Sequence, residues 1–252
     1  MEKNVNENES ECKVLIKKVN KINNDEIDKM FCLHSEYFAN AQLKNFIHDL
    51  KEKDWCILIT DETENVKGYS TIQLIDTTFE GREIKILFSG DTLVAKENWH
   101  DNLLSGAFGQ FILYLNEKFV DKELYWLLIS KGFRTYRFLP VYYKEYYPVH
   151  NRETPQKVKA LMDHICLKKF GASYDSKKGL VVSNGQTDYL KPRMAVIPDQ
   201  RKSNPHVRFF LNKNPNYYRG DELVCIANLG QKNIKDRVAD RVIRAVTVNW
   251  VS

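Results

Sequence analysis

Between Trp55 and Leu115 the hydrophobic period of the chain changes from two to 3.6, and few architectures accommodate that change at that place. Trp55 to Thr60 (WCILIT) is a short, wholly apolar run, read as a buried strand. A polar turn over Asp61 to Lys67 leads into Gly68 to Asp76, where Tyr69, Thr71 and Gln73 alternate with Ser70, Ile72 and Leu74. Gly81 then marks a turn before a long strand from Glu83 to Ala95. Together these predict an antiparallel meander of three strands. Leu103, Leu104, Ala107, Phe108, Phe111, Ile112 and Leu115 follow at helical spacing, predicting a helix from Leu103 to Phe119.

The flanks extend the pattern. Lys13 to Val19 reads as a first strand, and Asn24 as the N-cap of a helix over Asp25 to Phe38 carrying Ile27, Met30, Phe31 and His34. A second helix spans Ala41 to Glu52. Leu124 to Ser130 is a further buried strand, ended by Lys131-Gly132. Arg134 to Tyr147 is helical in part, with Pro140 expected to break it. Thr154 and Pro155 open a helix to Phe170 that Gly171 closes. From Ala172 to Asn228 only short strands are expected, chiefly Leu180–Ser183 and Leu223–Ala227. A C-terminal helix then carries Ile234, Val238, Val242 and Ala245. The fold class predicted is mixed α/β: a mostly antiparallel central sheet flanked by helices, with an α+β C-terminal extension.

Composition excludes several classes. The chain has 252 residues, 43% hydrophobic and 28% charged, which suits a packed domain rather than a disordered one. No apolar run approaches the roughly 18 residues of a membrane span. The polar, acidic first ten residues are unlike a signal peptide. The five cysteines are widely spaced with no CxxC pair, so neither a zinc site nor a disulfide framework is expected, and a cytoplasmic setting is. A net charge of +5 without a dense basic stripe favours an anionic ligand, such as a phosphate-bearing cofactor, over nucleic acid. Phe133 to Tyr147 (FRTYRFLPVYYKEYY) interleaves aromatics with Arg134, Arg137 and Lys144. That is the pattern of a base-stacking surface, of helix packing, or of an acyl-chain tunnel wall; core plus pocket is preferred because the segment follows an apolar strand.

The unit that carries chemistry is Phe88-Ser89-Gly90-Asp91-Thr92-Leu93-Val94-Ala95 followed by Trp99-His100-Asp101-Asn102-Leu103-Leu104-Ser105-Gly106-Ala107. A strand that delivers the chain to a helix N-terminus gathers unpaired N–H groups at one point, where they can hold a pyrophosphate. Ser105, Gly106, Ala107 and Gly109 permit close approach of a ligand or of a neighbouring strand. The plainer reading is a β–α connection capped by Asp101 or Asn102.

This order of elements resembles the GCN5-related N-acetyltransferase (GNAT) superfamily: strand, two helices, a meander, helix, strand, helix. In that family the central strand feeds an Arg/Gln-x-x-Gly-x-Gly/Ala loop holding the coenzyme A pyrophosphate, and DTLVAKENWHDNLLSGAFGQFI looks like that strand, loop and helix. The resemblance covers Lys13 to Tyr147. His100 stands near the first Arg or Gln position, and Leu103 or Leu104 replaces a glycine, so the loop departs from the pattern and leaves room for a donor other than acetyl-CoA. The resemblance implies an N-acyltransferase whose co-substrate is acyl-CoA or the phosphopantetheine of an acyl carrier protein, as in the acyl-homoserine-lactone synthases of the same fold. The acceptor is an amine, on a small molecule or a peptide. Implied cofactor contacts are Leu93, Val94, Ala95, His100, Asn102, Leu103, Leu104, Ser105 and Gly106. Asp91 is the implied base or amine anchor. Tyr143, with Tyr136 and Tyr142 nearby, is the implied acid for the leaving thiolate.

Dense aromatics favour a donor bulkier than acetyl, up to a long acyl chain. His206 is a candidate general base, and Asp221-Glu222 lacks a histidine at ligand spacing, so no metal is expected. The expected organisation is a flexible tail over 1–12, a thioester-binding region over 13–150 and an extension over 151–252 that completes the acceptor site. Two rivals remain: a non-catalytic acyl-thioester-binding fold, and an RNA-binding protein using the aromatic segment.

Overall fold

The computed structural model describes residues 12–251; residues 1–11, most of the expected tail, and Ser252 lie outside the described residues. Strand β1 (Lys13–Lys18) is followed by helix α1 (Asn24–Tyr37). Its cap is Asn23 rather than Asn24. Asn23 Oδ1 accepts from the Glu26 amide at 2.9 Å, and the Glu26 carboxylate accepts from the Asn23 amide at 2.9 Å. This capping box satisfies two helix-end donors at once. Strand β2 (Phe38–Ala39) and helix α2 (Leu43–Lys51) come next.

The meander is β3 (Trp55–Thr60), β4 (Val66–Phe79) and β5 (Arg82–Val94), followed by α3 (Leu103–Lys118) and β6 (Glu123–Ser130). The aromatic segment forms α4 (Phe133–Tyr136) and α5 (Phe138–Tyr142). Pro140 falls in the first turn of α5, where its missing N–H costs nothing, and the break comes at Arg137 instead. Helix α6 (Gln156–Phe170) starts after Pro155, one residue later than a Thr154 cap would put it.

Beyond Gly171 lie β7 (Tyr174–Asp175), β8 (Leu180–Val181), β9 (Tyr189–Leu190), α7 (Pro192–Ala195) and α8 (Asp199–Lys202). Then come α9 (Pro205–Lys213), β10 (Glu222–Asn228) and β11 (Asn249–Val251). Helix α9 corrects the expectation of strands alone: Asn204 Oδ1 caps it at 3.0 Å from the His206 amide, Pro205 opens it, and Val207 and Phe210 bury one face. The C-terminal apolar stripe is not one helix either. An α-turn at Asp236–Val238 passes into a π-turn at Ala239–Ile243 and then into β11.

The central sheet has nine strands in the order β11-β1-β3-β4-β5-β6-β10-β8-β7, all pairings antiparallel except β1–β11 and β5–β6. It is therefore a mixed α/β fold with a mostly antiparallel sheet. Alternation sorts the strand residues by face. Cys56, Leu58 and Tyr69 pack with Met30, Phe46 and Leu50 of α1 and α2, whereas Ile57 and Ile59 join the larger core with Phe111 and Leu115 of α3. Residues after 151 extend both sheet edges, through β10 on β6 and β11 on β1.

Two irregularities open this sheet at one point. The register between β4 and β5 shifts between Ser70 and Ile72, putting an extra residue on β5 at Gly90–Asp91. The parallel β5–β6 pairing runs only from Ile84↔Glu123 to Ser89↔Leu128. Past Ser89, β5 keeps β4 on one side and faces a gap on the other.

Candidate active site

Three cavities meet at the gap between β5 and β6, and Thr92 and Thr135 line all of them. Bulges re-aim side chains where they interrupt a ladder. Here the bulge turns Asp91 and Thr92 toward different cavities, Asp91 into the second and Thr92 to the junction.

The first is a cleft of about 620 Å³ between the start of α3 and the α4–α5 segment. Leu93, Val94, His100, Asn102, Leu103, Leu104 and Ser105 line it. Ala95 does not; it is buried in the core under α1 and α2. Gly106 does not either. A Cβ there would lie 2.7 Å from the Val242 carbonyl oxygen, and one on Gly109 would lie 2.5 Å from Ile243 Cγ1. Gly106 and Gly109 thus admit the C-terminal segment, while Ser105 lines the cleft.

Neither Asp101 nor Asn102 caps α3. Asp101 accepts from Asn98 Nδ2 at 2.9 Å, and Asn102 adopts φ 53 at the cap position without a side-chain hydrogen bond to the helix. The first amide turned back into the helix is that of Gly106, bonded to the Asn102 carbonyl at 2.9 Å. The amides of Leu103, Leu104 and Ser105 are left at the helix end, where the dipole favours an anion. Lys131, Arg134, Arg137 and Arg201 add positive charge around the cleft, with the Arg134 guanidinium stacked 4.4 Å over Trp99. Asn98 also lines it, and its Oδ1 is buried without a hydrogen-bond partner.

The second cavity, about 540 Å³, has the opposite character. Asp49, Asp91, Asp188 and Glu222 line it with His34, Lys131 and Lys169. Buried His34 bonds Tyr69 Oη through Nδ1 and Asp188 through Nε2, both at 2.7 Å, and Lys131 Nζ donates to Asp188 Oδ1 at 2.6 Å. His34, Asp91 and Asp188 bring one side-chain atom each within 4.8 Å of the others. Burial pushes the Asp91 carboxyl up, against the pull of His34 and Lys131. Burial likewise pushes Glu222 up to about 7 despite Lys131. Asp188 goes the other way: burial opposes its charge, but His34 and Lys131 hold it well below the usual carboxylate range. Burial also opposes the Lys131 charge, and Glu222, Asp188 and Asp91 outweigh it.

The third cavity is narrow and apolar, about 50 Å³, between α3, β6 and α5. Tyr143 lines it, buried at 4% exposure with its phenol pushed up by burial. Tyr142 lines both this cavity and the cleft. His206 reaches none of the three. Its ring lies 4.4 Å from that of His150 and its Nδ1 is 3.2 Å from Tyr146 Oη, with burial and then His150 pushing its pKa down. Asp221 is engaged in the fold, accepting from the Ser183 amide at 2.9 Å.

His34, Lys131 and Asp188 carry the acidic cavity but were not singled out in the sequence. His34 offered one signal, a histidine inside the buried stripe of α1. Lys131 reads as a strand-ending residue, and Asp188 lies in a turn-rich stretch with no pattern pointing at α1.

From β1 through α5 the order of elements matches the acetyltransferase layout that the sequence resembles. No protein-family model matches the chain, and no curated protein matches it. Solved structures do. One is a conserved protein of unknown function from Enterococcus faecalis V583, described as "Probable N-Acyltransferase", at 14% identity over 53% of this chain and 33% of that one, TM-score 0.40. Another is the GNAT family N-acetyltransferase YhbS from Escherichia coli in complex with CoA, at 18% identity over 49% and 66%, TM-score 0.37. A third is Arabidopsis thaliana NAA60 in complex with a bisubstrate analogue, at 12% identity over 53% and 86%, TM-score 0.39. The chain thus spans about a third of the Enterococcus protein and just under two thirds of YhbS. Among the described residues, no helix is long and apolar enough to cross a membrane.

Proposed function

We propose that this chain is an N-acyltransferase that moves an acyl group from a pantetheine thioester to an amine. The observation that carries the reading is the uncapped start of α3, with the Leu103, Leu104 and Ser105 amides free among Arg134, Arg137 and Arg201, joined at Thr92 and Thr135 to a cavity lined by carboxylates. The basic cleft suits a pyrophosphate or phosphate at the helix end. The unpaired edge of β5 and the orphaned Asn98 Oδ1 suit the amide groups of a pantetheine arm, since a buried acceptor without a partner is costly. The acidic cavity suits an ammonium.

In this reading the amine binds beside Asp91, which takes its proton. The freed nitrogen attacks the thioester carbonyl and forms the C–N bond, then passes its surplus proton to solvent, from which the acid is later reprotonated, as the C–S bond breaks and the thiolate leaves. We assign its proton to Tyr142, which faces both the cleft and the apolar cavity, with Tyr143 behind it as part of the wall. Asp188 and Glu222 come from residues after 151, so the extension completes the acceptor side. A reducing, cytoplasmic setting belongs to the same reading and agrees with five free cysteines.

The test is binding and transfer with the full chain. Calorimetry with coenzyme A and with a phosphopantetheinylated carrier protein identifies the donor arm. Transfer from acetyl- through palmitoyl-thioesters to a panel of mono- and diamines tests the reaction, with Tyr142→Phe and Tyr143→Phe compared. Absence of binding by either arm overturns the reading. Binding without transfer favours the second reading, a non-catalytic thioester-binding protein, which the departures at His100, Leu103 and Leu104 support.

A further inference from the structure

Two lysine ammoniums lie over one ring at the acidic cavity, and only one of them has an acid. Phe88, Gly90 and Asp91 of β5 form a wall of that cavity. Lys53 Nζ sits 5.8 Å from the Phe88 ring centroid and is paired with Asp49 Oδ1 at 2.6 Å. Lys169 Nζ, in the last turn of α6, sits 4.2 Å from the same centroid and 5.7 Å from that of Phe170. Among the described residues it donates to Gln73 Oε1 at 2.6 Å and pairs with no carboxylate. Gln73 is itself fixed, its Nε2 donating to the Glu52 carbonyl at 2.9 Å. The amide therefore aims Lys169 and leaves two of its three N–H donors for another acceptor. Burial and then Lys53 push the Lys169 pKa down, and Glu52 and Asp49 offset this only in part. An aromatic face attracts such a charge without neutralising it.

Lys131, the other lysine lining this cavity, is held by Asp188 at 2.6 Å and lies 3.8 Å from Glu222. Asp91 is the converse of Lys169: it feels the charges of His34 and Lys131, but no described residue donates a hydrogen bond to it. One cavity thus presents an unanswered carboxylate and an unanswered ammonium. We propose that the acceptor is an amino acid, held with its ammonium at Asp91 and its carboxylate at Lys169. A monoamine leaves Lys169 without a counter-ion, and a diamine sets a second cation against it. This inference rests on the acceptor side of the reaction proposed above and narrows its amine. Transfer then gives an N-acyl amino acid and a free thiol: the C–N bond forms at the amine, the C–S bond breaks, and the carboxylate keeps its charge throughout.

Calorimetric titration of the full chain at neutral pH, with and without saturating coenzyme A, compares each amino acid with the amine that lacks its carboxylate. The pairs are glycine and methylamine, β-alanine and ethylamine, leucine and isopentylamine, and phenylalanine and phenethylamine, with putrescine as the diamine. Within each protein, the ratio of amino-acid to amine affinity is the readout. In the wild type the best pair favours the amino acid by roughly tenfold to a hundredfold, the value of a charge-assisted contact. Lys169→Met, which keeps the stem and loses the charge, abolishes that preference without weakening the amine, and Lys169→Arg retains most of it. No preference for the amino acid in any pair, tighter binding of putrescine than of every amino acid, or an unmoved ratio in folded Lys169→Met overturns the amino acid and leaves the amine reading intact. Failure of every amine and amino acid to bind overturns the acceptor cavity and, with it, this inference.

Discussion

At Asp91 two effects compete. Burial pushes the carboxyl up, while His34 and Lys131 keep it ionisable. A carboxylate brought nearer to neutrality is a better proton acceptor from an ammonium than one on the surface, and general-base assistance contributes roughly 10²- to 10⁴-fold. Asp91→Asn keeps the shape and loses the base. Its kcat is expected to fall by about that factor while coenzyme A affinity, measured by calorimetry, stays within about twofold; an unchanged kcat removes Asp91 from the reaction. Glu222 gives a stability prediction of defined sign. Its folded pKa of about 7 lies above the ordinary carboxylate value. The folded state therefore binds the proton more tightly, and stability from this group is present at low pH and lost as pH rises from about 4.5 through about 7. Glu222→Gln removes that loss. Denaturant unfolding across this window is expected to show a flatter pH dependence, with the variant gaining on the order of 1–3 kcal/mol relative to wild type by pH 8. A parallel pair of curves rejects it.

At the scale of elements, the contact between α3 and the C-terminal segment decides what Gly106 is for. Residue spacing alone allowed a ligand or a neighbouring strand; the neighbour is a π-turn whose Val242 carbonyl leaves no room for a Cβ. Gly106→Ala is expected to destabilise by about 1–3 kcal/mol, because the Val246 side chain and, less able to move, the Val242 carbonyl both stand in the way. In a chain of this size that lowers the melting temperature by roughly 2–4 °C per kcal/mol, read by calorimetry; an unshifted transition denies the close approach. The same contrast explains what the sequence could reveal. The meander and α3 were legible because each has an unmixed period, two for Tyr69 to Leu74 and 3.6 for Leu103 to Leu115. Helix α9 was not, because nine residues with Pro205 at the start and polar flanks present too few turns to establish a period. Of the apolar stripe Ile234, Val238, Val242 and Ala245 only Ile234 is buried; the π-turn rotates the segment so that Ile243 and Val246 are buried instead, a winding that helical spacing does not specify. Within the site, the wall of the cleft between β5 and α3 could be read because its residues are contiguous; Arg134, Arg137 and Arg201 on the other walls are not. The acidic cavity could not, because His34, Asp91, Lys131, Asp188 and Glu222 come together only through strand order and through β10 joining β6.

At the scale of the whole molecule, the sheet separates charge. One side of the gap gathers Arg134, Arg137 and Arg201 around free helix amides, and the other gathers Asp49, Asp91, Asp188 and Glu222. Such fields suit the proposed pair, an anionic donor and an acceptor's ammonium, at opposite mouths of one junction. Direct transfer between them needs no covalent intermediate on the protein, and the cysteines agree with that. None lines any of the three cavities, and burial pushes Cys56 and Cys166 up to about 12 and Cys225 well above the ordinary thiol value, which removes them as thiolate nucleophiles. In the proposed reaction both substrates are then bound before acyl transfer. Initial rates measured over a grid of donor and amine concentrations are expected to give intersecting double-reciprocal lines, the signature of a sequential mechanism. Parallel lines, together with an acyl adduct on the protein trapped by intact mass after mixing with acyl-CoA alone, would point instead to a covalent intermediate and would break the link between the two cavities on which direct transfer depends.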